Sequence, residues 1–130
     1  MKKETIHVPV ISDATKRANV PLSAAVKAGG FVFVSGMPPI DTKSGRLVSG
    51  DIAKQTEVCL ENLKTTLEAA GSSLDKVVKV TVYASNSAYY ATINKVYARY
   101  FADEPPARTF VTVASWPLEF DIEIECTAIA

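Results

Sequence analysis

The chain reads as an α+β fold with elements in the order ββαβαββ, a mixed sheet carrying two helices on one face. Three patterns predict it. Apolar and polar side chains alternate every two residues around Val78–Val82 and again over Phe120–Ala128, apolar side chains recur every three or four residues in two internal stretches, and glycine or proline clusters mark the joins. A length of 130 residues, 48% hydrophobic and 22% charged, fits one soluble domain over residues 1–130.

Residues 1–19 show no clear period, which predicts an extended or partly mobile arm with at most a short strand near Ile6 to Val10. Ser23 to Ala28 and Phe31 to Ser35 flank Gly29-Gly30, a two-residue hairpin connection. Gly36 and Pro38-Pro39 are expected to end the second strand. Ile52, Cys59, Leu60, Leu63, Leu67 and Ala70 recur at helical spacing with Glu57, Glu61, Lys64 and Glu68 between them, so Asp51 to Ala70 should form an amphipathic helix closed by Gly71. Val78, Val80 and Val82 alternate with Lys79, Thr81 and Tyr83, as a half-buried strand requires. Ser85-Asn86-Ser87 offers caps for a second helix reaching Phe101, and Pro105-Pro106 stops it. Arg108 to Ala114 and Phe120 to Ala128 complete the set, separated by a turn at Trp116-Pro117. In the last strand Phe120, Ile122, Ile124, Cys126 and Ala128 share the face expected to meet the helices.

The sheet's other face is expected to carry Arg108, Phe110, Thr112, Phe31, Phe33, Glu123 and Glu125. A mixed face of that kind, too apolar to stay wet, predicts packing of sheets from several subunits into a closed symmetric oligomer with pockets between them.

Lys plus Arg and Asp plus Glu each total 14, so nothing in the charge balance favours nucleic acid or anionic lipid. The apolar runs are far shorter than the roughly 20 residues of a membrane span, and the N-terminus lacks the pattern of a secretory signal. A cytoplasmic location is expected, with Cys59 and Cys126 as reduced, buried thiols. His7 is the sole histidine and lies in the arm, which argues against a nucleophile–histidine triad. No phosphate loop, dinucleotide fingerprint or metal-ligand spacing is present, so no cofactor and no metal are expected. Arg108, at the mouth of a strand after Pro105-Pro106-Ala107, stands out. Its planar fork suits a small organic carboxylate, although from spacing alone an ion pair with Glu123 or Glu125 is the more common arrangement.

Pro106-Ala107-Arg108-Thr109 followed by Ile122-Glu123-Ile124-Glu125 resembles the C-terminal signature of the RidA/YjgF family, the reactive-intermediate or imine deaminases. Val34-Ser35-Gly36, Leu67-Glu68-Ala69-Ala70-Gly71 and the run Val77 to Val82 are similar too, so the resemblance covers residues 20–130. It implies a chorismate-mutase-like subunit, a homotrimer around a barrel of sheets with clefts between subunits, and cofactor-free hydrolysis of 2-aminoacrylate-type or 2-iminobutanoate-type acids to 2-keto acids and ammonia. By the same resemblance Arg108 grips the substrate carboxylate, Glu123 orients or activates water, and Ser35-Gly36 contacts the ligand through backbone. Asn94 corresponds to a helix asparagine near the cleft. Leu22 stands where the archetype often has tyrosine and Phe110 where it has cysteine, which predicts a more apolar pocket. A non-catalytic trimeric carboxylate binder is the alternative reading; a ribonuclease or translation inhibitor fits less well.

Overall fold

The computed structural model describes residues 2–130. The predicted hairpin is present as β2 (Ala25–Ala28) and β3 (Phe31–Met37), joined by Gly29 and Gly30, both at positive φ, a conformation that glycine adopts without steric cost. The first helix of the prediction is α2 (Ile52–Ala69), capped by Asp51 accepting from the Ala53 amide at 3.0 Å and ended before Gly71 at φ 81°. Then follow β4 (Val77–Ala84), α3 (Tyr90–Tyr97), β5 (Ala107–Thr112) and β6 (Ile122–Ile129). Among the described residues no helix is long and apolar enough to cross a membrane.

Two expectations need correction. The arm is built, not loose: it forms strand β1 (Glu4–Ile6), paired antiparallel with β2, and helix α1 (Ile11–Arg17), which buries Ile11. The molecule therefore has a third helix and a sixth strand. Helix α1 is only seven residues long, and it is set by local side-chain bonds: Asp13 accepts from the Val10 amide at 3.1 Å and Ser12 from the Val8 amide at 2.8 Å. These bonds hold Val10 at φ 70°, an unfavourable conformation for a β-branched residue. Second, α3 ends at Tyr97, short of the expected Phe101.

The sheet runs β1-β2-β3-β6-β4-β5, antiparallel throughout except for the parallel pair β4 and β5. One face packs on α2 and α3 through Val32, Val34, Val80, Val82, Ile122, Ile124, Cys126 and Ala128 against Leu60, Leu63, Leu67 and Ile93. Burial of this apolar surface is the dominant stabilising term. Cys59 and Cys126 lie in it as free thiols. The other face is open, and Phe31 (42% exposed), Phe33 (47%) and Ile129 (50%) stand on it.

β3 does not stop at Ser35. It continues to Met37 through a bulge: Val34 pairs with Cys126 and Met37 with Ile124, so Ser35 and Gly36 together oppose Glu125. Two buried amides lock the surroundings. Asn62 donates to the Pro38 and Ile40 carbonyls at 3.2 and 2.9 Å, fixing the segment after Gly36. Gln55 accepts from the Asp121 amide at 2.8 Å and donates to its carboxylate at 3.0 Å, fixing the start of β6.

Candidate functional site

The bulge places Gly36 directly against Glu123. A Cβ on Gly36 would lie 2.6 Å from Cδ and 3.0 Å from Cγ of Glu123 and collide with the carboxylate oxygen, so only glycine permits this approach. Ser35 is tied down beside it, its hydroxyl donating to the Ser23 carbonyl at 2.6 Å and its amide to Ala24 at 3.0 Å. Ser35, Gly36 and Glu123 open on a cleft of ≈ 210 Å³, which Leu22 also lines. Burial raises the proton affinity of Glu123 above that of an ordinary carboxylate, and the neighbouring Glu125 charge adds to the effect. Glu125 in turn accepts from the Tyr83 hydroxyl, which pushes the tyrosine's own pKa up.

Arg108 lies elsewhere. Through the parallel pairing of β5 with β4, Arg108 stands opposite Val80 and Phe110 opposite Val82. Both valines are buried on the helix face, so Arg108 and Phe110 project to that face, while Glu123, paired with Tyr83, projects to the open one. This corrects the expectation that the arginine and the two glutamates share a face. Among the described residues the ion pairs are His7–Asp13, Lys54–Glu57 and Arg99–Glu57, so Arg108 is not bridged to Glu123 or Glu125.

Arg108 is instead held by aromatic rings. Its guanidinium carbon sits 4.8 Å from the ring centre of Tyr97 and 5.7 Å from that of Tyr90, and Phe110 meets Tyr90 edge-on at 4.9 Å. Such stacking orders the fork without neutralising it. Tyr90, Asn94 and Tyr97 recur at helical spacing along α3, and the Asn94 side-chain oxygen and the Tyr97 hydroxyl are both buried without a hydrogen-bond partner. Burial pushes the Tyr97 hydroxyl up to about 12, partly opposed by Arg108.

The predicted residues therefore fall into two groups: Leu22, Ser35, Gly36 and Glu123 at the cleft, and Asn94, Arg108 and Phe110 at the β5–α3 corner. Sequence reasoning missed the rest of the cleft wall. Ile11 and Val20 come from the misread arm. Trp116 and Phe120, whose ring centres lie 4.6 Å apart at a 32° tilt, come from the turn before β6: Phe120 is the expected first residue of the last strand, which begins only at Ile122, and Trp116 carries no periodic signal. Tyr90 and Tyr97 fall within the expected second helix, but nothing in the sequence marks them as the bed of an arginine.

Comparison with known proteins places this architecture. The family model described as Endoribonuclease L-PSP matches residues 13–130. A RutC family protein of Pyrococcus horikoshii is 51% identical over 108 residues, covering 83% of this chain and 86% of its own length. Reactive Intermediate Deaminase A of Arabidopsis thaliana is 38% identical over 128 residues, covering 98% of this chain and 66% of its own. Among solved structures, a Rid-family protein of Yersinia pestis superposes with a TM-score of 0.89 at 35% identity, covering 99% of this chain and all of that one. TdcF of E. coli, solved with bound serine, gives 0.79 at 34% identity over 85% and 88% of the two chains. With the Gly36–Glu123 contact, the Arg108 strand and these matches together, the chain belongs to the RidA/YjgF family of L-PSP proteins.

Proposed function

We propose that the protein hydrolyses small enamine or imine carboxylic acids to 2-keto acids and ammonia without a cofactor, at clefts that two subunits of a homotrimer complete. The observation that carries this reading is Glu123: a half-buried carboxylate of raised proton affinity, pressed onto a glycine backbone at the edge of an apolar cleft. Such a group exchanges a proton with water nearer neutrality than a free carboxylate does.

Within one chain Arg108 and Glu123 lie on opposite faces of the sheet, so a substrate gripped by one cannot reach the other. A second copy supplies the missing group if its β5–α3 corner seats against the cleft, and the exposed Phe31, Phe33 and Ile129 offer apolar surface for such packing. Arg108 from one subunit then binds the substrate carboxylate in a bidentate grip. On the other subunit, Glu123 takes a proton from water as its oxygen bonds to C2 of the imine and the C=N electron pair moves to nitrogen. Glu123 returns that proton to the nitrogen to give the carbinolamine, then takes the proton of the new hydroxyl and passes it to the nitrogen as the C=O bond forms and the C–N bond breaks, so that ammonia and the 2-keto acid leave. The imine carbon is already electrophilic, so positioning and one proton relay suffice. The serine held by TdcF, itself a small amino acid carrying a carboxylate, supports a ligand of this class.

The test is ammonia release from 2-aminoacrylate and 2-aminocrotonate, generated in situ by a serine or threonine dehydratase, with wild type beside Arg108→Ala. Acceleration that vanishes in the variant is the expected result. No acceleration with either compound would exclude these small enamines as substrates and leave either a larger imino acid shaped by Leu22 and Phe110 or the non-catalytic carboxylate binder.

A further inference from the structure

The cleft beside Glu123 is larger and drier than a three-carbon enamine acid needs. Its polar side chains are Thr15, Ser35 and Glu123, and the Ser35 hydroxyl is turned to the Ser23 carbonyl. The remaining wall is apolar, with Ile11 and Val20 from the arm on one side and Trp116, Leu118 and Phe120 on the other. Leu118 is 59% exposed although it lines the cleft. The volume is ≈ 210 Å³; an apolar cavity of about 150 Å³ already holds a benzene ring. The methylene of 2-aminoacrylate would leave most of this wall uncovered.

We infer that this cleft receives the substrate's side chain, and that the substrates are 2-imino acids bearing branched aliphatic or aromatic side chains of leucine to phenylalanine size. The inference rests on the deaminase reading above. With C2 beside Glu123, the side chain runs along Leu22 toward the rings of Trp116 and Phe120, tilted 32° to each other, which form an aromatic wall. The reaction that feeds such a site is one that oxidises or otherwise dehydrogenates a large apolar amino acid at its α-carbon. Each buried methylene contributes about fourfold to kcat/KM.

The deciding experiment compares kcat/KM on imines formed in situ from alanine, leucine and phenylalanine by an amino-acid oxidase, with spontaneous hydrolysis as the blank. Wild type is expected to favour the leucine imine over the alanine imine by roughly tenfold or more. Leu118→Asp, at an exposed position where a charge does not threaten folding, is expected to bring that ratio below about threefold. A flat or reversed ratio in wild type, with Arg108-dependent deamination of the alanine imine intact, overturns the side-chain assignment and leaves the deaminase standing; a cleft filled by a neighbouring subunit's side chain would give this result. If no imine is accelerated, the deaminase reading fails, and Trp116 decides about the cleft separately. It is the sole tryptophan, so its emission reports on the wall. A change with 4-methyl-2-oxopentanoate at concentrations where pyruvate gives none supports the pocket, and equal or absent responses overturn it.

Discussion

The cleft at Glu123 and the corner at Arg108 solve opposite electrostatic problems within one sheet. At the cleft an anion is crowded by burial and by a second carboxylate, so its charged form is disfavoured and a proton becomes exchangeable. At the corner a cation is stacked on two tyrosine rings with no carboxylate beside it, so its charge is kept and its donors stay free. Neither arrangement works as a site alone. One lacks a grip, the other a base and a cavity. Separating them prevents the internal ion pair that would neutralise both, because a short Arg–Glu bridge would depress the carboxylate's pKa and occupy the arginine's fork.

The largest effects should come from emptying each side in turn. Glu123→Gln is expected to lower kcat by about 10² to 10⁴ with ligand binding kept, the span of a lost general base. Arg108→Ala should lower kcat/KM by an amount equivalent to about 2–5 kcal/mol, as for a lost charged contact, and raise the Kd for 2-keto acids in parallel. Full turnover in Glu123→Gln would remove that residue from the mechanism.

Mixing is sharper still. If every site takes Arg108 from one subunit and Glu123 from the next, the two inactive variants denatured and refolded together at equal ratio should regain about a quarter of wild-type activity, since random assembly makes that share of sites whole. A mixture as inactive as its components would break the two-sided picture, as would a monomer by light scattering.

Gly36→Ala tests the close approach. The added methyl displaces the Glu123 carboxylate, a movable side-chain end rather than backbone, so folding should survive while kcat falls by tenfold or more. Circular dichroism and turnover together check it. Smaller again is Glu125→Gln. Glu123's folded pKa is raised, so the active, deprotonated form is lost as pH falls through that raised value, and the acid limb of the rate profile lies above the ordinary carboxylate range. For stability the sign is the reverse. The native state holds the proton more tightly than the unfolded chain, so the charged carboxylate destabilises the fold progressively as pH rises from the unfolded pKa to the folded one. Removing Glu125 should move the limb to lower pH, though burial, the larger cause, keeps Glu123 raised. Smallest is Tyr97→Phe: the hydroxyl is buried without a partner, so its loss should change stability by less than about 1 kcal/mol in urea titrations.

Much of this was legible in the residues, and what was not has physical reasons. α2 spans five turns, long enough for its period to show, and β6 alternates without a break, so both could be read directly. The short α1 could not, since seven residues hold barely two turns and its start depends on Val10 in a conformation that valine avoids. The family signature drew attention to Arg108 and Glu123. Their relative placement was hidden, because Arg108-Thr109-Phe110-Val111-Thr112 is mixed on both faces and only the parallel pairing with β4 decides which side faces the helices. Phe120 continues the period of the last strand, but Trp116 and Leu118 lie in an irregular turn, where no period exists to be found.

The bulge at Ser35 and Gly36 makes the number of residues in β3 as binding as their identity. Deleting either one would restore strict alternation with Met37 still opposite Ile124 in the core, but a single residue would then oppose Glu125 and the close approach of the Gly36 backbone to Glu123 would be lost. A substitution at position 35 leaves this residue count intact, whereas shortening or lengthening the strand does not, so a library that scans substitutions here without changing its length leaves the length constraint untested.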